Sequence, residues 1–245
     1  MPQSDPHTPN PDTPNLARMY DYLLGGKDNF AVDREALDRL ADLIPEAVPQ
    51  ARAARGFLQR AVRYAAAQGV DQFLDVGSGL PTQGNVHEVV PDARVVYVDH
   101  DPVVAEHGRA LLGDRDRAVF VEADLLDPVR MLDQAAAHLD PARPVGVLLV
   151  SVLHFVPDSV NPHAVLACLR GALAPGSHLA IAHATSSGDA PAGGTRRGPE
   201  EIQAFFGDFV MVEPGLVQAH EWRPDRPRLV GGTRLPLLAG MAWKP

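Results

Sequence analysis

The stretch FLDVGSGLPT, Phe73 to Thr82, carries an apolar run into Asp75 and then into the turn Gly77-Ser78-Gly79. A buried strand followed by glycines is where an open α/β sheet holds a nucleotide, because glycine lets the backbone approach a ligand closely. Taken alone, the glycines also fit a tight strand-to-helix turn with no ligand. The next apolar run, RVVYVDHDP, ends in Asp99, 20 residues beyond Gly79. A carboxylate there can accept hydrogen bonds from both ribose hydroxyls of a nucleoside, and its register directly after four apolar residues argues against a merely solvated acid. Asp101 is expected to cap the helix opened by Pro102.

NAD enzymes share this strand, turn and acid. The third glycine that helps seat their pyrophosphate is replaced here by Thr82, preceded by Pro81. A pyrophosphate needs a helix N-terminus close by, whereas S-adenosylmethionine carries no phosphate and needs room only for its amino-acid moiety. The pattern therefore favours S-adenosylmethionine.

The elements that must position these residues alternate. Runs rich in β-formers at Gln72 to Val76, Arg94 to Val98, Val119 to Glu122, Val145 to Val152 and His178 to Ala182 are separated by helical stretches near 83–90, 102–112, 127–139 and 162–174. Such alternation predicts a doubly wound α/β fold with a parallel sheet and right-handed crossovers. After a Gly/Ala/Pro-rich loop, 186–199, come a helix at Pro199 to Phe206 and two extended runs, Phe209 to Val217 and Leu235 to Trp243, expected to pair as an antiparallel hairpin at one side of the sheet. Ahead of the sheet, five prolines in the first 14 residues predict a flexible arm over 1–12. Thr13 as N-cap and Pro14 at the first helical position predict a helix over 14–24, stopped by Gly25 and Gly26. Apolar periodicity adds helices over Asp33 to Leu43 and Gln50 to Gln68. The simplest division is one domain, 13–245, with a helical cap over 13–69 and a core over 70–245.

Lys and Arg number 22 and Asp and Glu 31 among 245 residues, a net charge of -9 that disfavours a nucleic-acid substrate. Arg196 and Arg197, in the glycine-rich loop, read as solvated linker residues. A single cysteine, Cys168, excludes an intrachain disulfide and a cysteine zinc site and fits a reducing compartment. The first residues do not look like a secretory signal, and the longest apolar run, Val145 to Leu153 interrupted by Ser151, is far below the roughly 18 residues of a membrane span. A cytoplasmic location and no membrane partner are expected.

The segments RMYDYLLGGKDNFAVDREA (Arg18 to Ala36), LDVGSGLPT, VVYVDHDPVV, VEADLLDP, VLLVSVLHFVPD and LAGMAWKP together cover nearly the whole chain. On them the chain resembles the actinobacterial S-adenosyl methyltransferase family, formerly a domain of unknown function. The resemblance implies a seven-stranded, mostly parallel, Rossmann-like methyltransferase fold with S-adenosylmethionine across the carboxyl ends of the strands. It implies that Gly77, Ser78 and Gly79 line the methionine and ribose side. Asp99 would take the ribose hydroxyls, His100 would lie beside the adenine, Asp124 would face its amino group and Leu125 its ring. Ser151 and Val152 would lie beneath the cofactor. Tyr20 to Phe30, with Gly25, resembles a cap that some methyltransferases fold over the cofactor, where Lys27 or Tyr22 could meet its carboxylate; the alternative is a helix end followed by a loop.

Methyl transfer is an in-line displacement, so the protein supplies alignment, desolvation and, for a hydroxyl or amine, a base. His154 follows the fourth strand and His183 ends the fifth; both are candidate bases, with hydrogen-bonded wall residues as the alternative. His154, Asp158, His163 and His183 lack tight ligand spacing, so no metal is expected. The expected function is methyl transfer from S-adenosylmethionine to a small molecule of unidentified acceptor atom. An NAD-linked oxidoreductase and an S-adenosylmethionine-binding protein without transfer are the alternatives.

Overall fold

The computed structural model describes residues 12–40, 45–185, 194–195, 197–226 and 234–245. The strands are β1 (Gln72–Val76), β2 (Arg94–Asp99), β3 (Ala118–Glu122), β4 (Gly146–Val150), β5 (His178–Ala184), β6 (Val210–Met211), β7 (Val217–Gln218) and β8 (Leu237–Trp243). They hydrogen-bond in the order β3-β2-β1-β4-β5-β8, parallel up to β5, with β8 antiparallel to β5. β6 and β7 pair antiparallel with β8. These two short pieces share the seventh position of the sheet, so the single run expected over Phe209 to Val217 is split. The split falls where Gly215 N–H turns back to the Val212 carbonyl (2.8 Å) and Gly215 adopts φ +84.

The helices are α1 (Leu16–Leu23), α2 (Ala31–Leu40), α3 (Ala47–Ala67), α4 (Val86–Val89), α5 (Pro102–Leu112), α6 (Pro128–Ala135), α7 (Pro162–Ala172) and α8 (Pro199–Ala204). Because strand side chains alternate between faces, Phe73, Tyr97 and Leu148 join a core with Phe57 and Ala61 of α3, Val104 of α5 and Trp222. Leu74, Val96, Leu149 and Ile181 join a second core with Met131 of α6, Leu166 of α7 and Phe205. Three of the crossover helices, α5, α6 and α7, start by one device: Asp101, Asp127 and Asn161 each accept a first-turn N–H, and a proline follows at the next position, where no amide is needed.

Several boundaries differ from the sequence expectation. Asn15, not Thr13, caps α1, accepting Ala17 N–H (3.0 Å) and Arg18 N–H (3.3 Å). Tertiary contacts select it, since Asn15 also donates its backbone N–H to Asp33 and its side-chain amide to Asp101. β4 stops at Val150 because Ser151 turns to φ +64, its N–H bonded to the Ala182 carbonyl (2.9 Å). α4 is only one turn, and α6 ends at Ala135 rather than 139. Most of the expected arm, residues 1–11, lies outside the described residues, as do 186–193 and 196 of the expected loop and 41–43 of the second helix.

Candidate functional site

The register brings Val76 level with Val98 and Asp75 level with Leu148, so the segments after β1, β2 and β4 meet along one edge. Gly77 (φ +65) and Gly79 (φ +61) shape the turn after β1. A Cβ on Gly77 would fall 1.9 Å from Val152 Cγ2, so Val152 occupies the space a side chain would need. Ser78 N–H reaches back to the Val98 carbonyl (3.0 Å), and its hydroxyl donates to the Gly79 carbonyl (3.1 Å).

Asp99 fixes this turn, accepting Gly79 N–H on Oδ2 (3.0 Å) and Asp101 N–H on Oδ1 (3.1 Å). Each carboxylate oxygen keeps a further lone-pair direction. Burial raises the Asp99 carboxyl above its ordinary value, although these amides oppose the shift. His100 is exposed, with Nδ1 3.6 Å from Asp99 Oδ1. Asp124 is exposed and accepts Leu126 N–H (2.9 Å), while Leu125 is buried. Ser151 and Val152 are half-buried beside the turn.

A polar pair that sequence reasoning passed over lies beneath. Asp75 is 4% exposed, and its carboxylate makes no hydrogen bond among the described residues. Burial pushes it up to about 7, with the Arg55 guanidinium opposing and Asp99 adding to the rise. Arg55, from α3, donates Nη1–H to Asn85 (3.0 Å) and leaves its buried Nε–H without a partner. Its guanidinium also stands over the Tyr20 ring at 5.9 Å. Both had a signal: Asp75 is charged inside an apolar strand, and Arg55 falls on the apolar stripe Ala51, Ala54, Leu58, Ala61 of its helix.

Two buried carboxylates hold the cap: Asp21 ties it to this edge, and Asp33 binds its own segments together. Asp21 accepts the Thr82 hydroxyl (2.5 Å), Asp28 N–H (2.9 Å) and the Asn29 amide (2.9 Å). Gly26 leaves the space Asp21 occupies, for a Cβ there would lie 1.9 Å from Asp21 Oδ1. Asp33 pairs with Arg18 at 2.7 Å. Burial alone would raise the Asp33 carboxyl, but Arg18 and the Phe30 and Asn15 amides outweigh it and hold it below its ordinary value. Tyr22 is 37% exposed. Lys27 is exposed, and Gly25 (φ +82) faces open space.

On the other flank, the two histidines differ. His154, 9% exposed, has a buried Nδ1 with no partner, and burial, His183 and Arg197 push it down to about 3. His183 is fully buried. Its Nδ1 faces the Ala184 carbonyl (2.7 Å) and its Nε2 faces Arg197 Nη1 (3.0 Å). A carbonyl only accepts and a guanidinium only donates, so His183 is neutral with its single lone pair already used. Burial and Arg197 lower it to about 4, against the opposing Ala184 carbonyl. His183 therefore offers no free lone pair to an acceptor, and of the two candidate bases His154 alone retains an unpartnered ring nitrogen. Arg197 is 2% exposed, which corrects its reading as a solvated linker residue. A cleft of about 450 Å³ lined by Glu200, Gln203, Phe206, Phe209 and Met211 shares no residue with this edge.

A parallel sheet with an antiparallel strand inserted near one end, a glycine turn held by the acid after β2, and a helical cap tied to that turn's segment define an open α/β fold of the Rossmann-like class. The family model described as S-adenosyl methyltransferase matches residues 3–245, and the chain belongs to that family. It is an S-adenosylmethionine-dependent methyltransferase. Among solved structures, a candidate methyltransferase from Thermobifida fusca YX is 41% identical, with a TM-score of 0.87 over 95% of this chain and 96% of that one. A DUF574 family protein from Streptomyces avermitilis MA-4680 is 35% identical, with a TM-score of 0.87 over 96% and 100%. N-methyltransferase NodS from Bradyrhizobium japonicum WM9, in complex with S-adenosyl-L-homocysteine, is 16% identical with a TM-score of 0.56 over 80% and 88%, a likeness of fold. No protein of curated function matches. No helix among the described residues is long and apolar enough to cross a membrane.

Proposed function

We propose that the methyl acceptor is a small molecule and that the cofactor lies over the carboxyl ends of β1, β2 and β4 in a single cytoplasmic domain, with 13–69 capping 70–245. The observation that carries the placement is Asp75 and Arg55 together: a buried carboxylate that makes no hydrogen bond among the described residues, in the field of a guanidinium with a buried, unpartnered Nε–H. Opposite charges left unsatisfied suit a zwitterion, Asp75 taking an ammonium and Arg55 a carboxylate. S-adenosylmethionine carries both groups at its methionine end, and NAD does not. The open lone pairs of Asp99 suit ribose hydroxyls, with Gly77, Ser78 and Gly79 beneath them. His100, Asp124 and Leu125 are assigned to the adenine side, Ser151 and Val152 to the floor, and Tyr22, Gly25 and Lys27 to the rim of the cap.

When bound, the cofactor supplies a methyl group activated on a sulfonium. The chain's own work is alignment and exclusion of water. His154, neutral at physiological pH, accepts a hydrogen bond from the acceptor O–H or N–H, which orients its lone pair. The net charge of -9 argues against a nucleic-acid acceptor. The test is mass spectrometry of a whole-cell lysate incubated with the protein and methyl-labelled S-adenosylmethionine, then separated into small-molecule, RNA and protein fractions. A labelled small molecule supports the reading, and label confined to RNA or protein overturns it.

A further inference from the structure

Arg197 makes a set of contacts that the cofactor site does not require. A guanidinium has five N–H donors, and here every one is used. Nε–H donates to Asp158 Oδ1 (3.1 Å), and Nη2 donates to the same oxygen (2.6 Å) and to the Val156 carbonyl (2.7 Å). Nη1 donates to the Leu153 carbonyl (2.7 Å) and to His183 Nε2 (3.0 Å). The two carbonyls bracket the 3-10 turn Leu153–Phe155, and Thr195 N–H takes the His154 carbonyl between them (2.6 Å). The guanidinium also lies over the Phe205 ring, 5.2 Å from its centroid. Asp158 is 68% exposed at its side chain, so the cation is paired with a carboxylate that water still reaches.

The turn held in this way carries His154, whose ring packs edge-on against His183 at 5.6 Å and lies tilted against the Phe155 ring at 4.3 Å. We propose that Arg197 is a positioning residue of the acceptor half-site: it fixes His183 as the Nδ1–H tautomer and, through the 153–156 turn, sets the imidazole of His154 beside the acceptor. The proposal rests on the reading that His154 faces the acceptor. A free lysine could not replace it, having three donors and no planar fork.

Charged groups around the pair set the expected direction. His183 meets Arg197, Asp158 and Glu201, and His154 meets Arg197 and His183. Removing the guanidinium frees His183 Nε2 and leaves Asp158 and Glu201 unopposed, so the His183 imidazole gains proton affinity.

The test is two-bond proton–nitrogen NMR of the full chain labelled on histidine, for the native protein and Arg197→Gln, across pH. In the native protein His183 carries its proton on Nδ1 and does not titrate above about pH 5. In Arg197→Gln the His183 titration moves upward by about one pH unit or more, a tenfold gain in proton affinity; a scaffold role would lower stability without moving tautomer or titration. Native His183 protonated on Nε2 overturns the proposal even if the variant does not fold, and unchanged titrations in a folded variant do the same. Adding S-adenosyl-L-homocysteine to the native protein separates the underlying reading. A shift at His100, which stands 3.6 Å from Asp99, without one at His154 removes His154 from the acceptor side and leaves the Arg197–His183 pairing standing.

Discussion

Replacing Gly77 with alanine perturbs the turn in two separable ways. The residue sits at φ +65, where a side chain costs about 1–2 kcal/mol. The new Cβ would also stand 1.9 Å from Val152 Cγ2 and 3.1 Å from Val152 Cβ, so Val152 must move. Overpacking of this kind costs about 1–3 kcal/mol, giving a total of about 2–5 kcal/mol. For a chain of this size each kcal/mol lowers the melting temperature by about 2–4 °C. Val152→Ala removes the offending methyl but not the backbone strain. The double variant should therefore be more stable than the two single losses imply, with a compensating coupling of about 1 kcal/mol or more. Urea unfolding of the four proteins, compared at a common slope, measures this. A Gly77→Ala loss below about 0.5 kcal/mol, or strictly additive losses, would refute the close approach of Val152 to the turn.

Thr82→Val should cost about 1.5–3 kcal/mol in urea unfolding, because the buried Asp21 carboxylate loses its 2.5 Å donor; a negligible loss means that the cap is not tied through Thr82. Asp75→Asn tests the buried carboxyl. Its folded pKa, about 7, lies above the ordinary 3.8, so its stabilising contribution is complete below about pH 4 and is lost as pH rises through 7. The variant should thus gain stability relative to the native protein at pH 8 compared with pH 5 while binding S-adenosyl-L-homocysteine more weakly. An equal stability difference at both pH values would contradict burial as the cause of the shift.

The sheet could be read from the sequence because each parallel strand is a short apolar run bounded by glycine, aspartate or proline, and the Asp-Pro and Asn-Pro pairs mark where helices begin. Asp99 was legible for the same reason, since an acid ending such a run must stand at the sheet edge. What stayed hidden depends on contacts across long sequence separations. Arg197 looks like a loop residue until the 153–156 turn and His183 surround it. Gly26 reads as a flexible stop, whereas the space beside it is filled by Asp21. Asn15 prevails over Thr13 as cap because Asp33 and Asp101 lie beside it only in the folded chain. The split of the 209–217 run depends on the turn at Gly215, which apolar periodicity does not register.

Titration calorimetry with S-adenosyl-L-homocysteine and with NAD, on the native protein and on Asp99→Asn, tests the cofactor site most directly. S-adenosyl-L-homocysteine should bind the native protein at one site per chain and NAD should give no heat. Asp99→Asn should weaken the former by roughly 10-fold or more, as expected from about 1.5–3 kcal/mol for hydrogen bonds to a charged group. Heat from NAD alone, or an Asp99→Asn affinity equal to the native one, would contradict a methyl-donor site built on this acid.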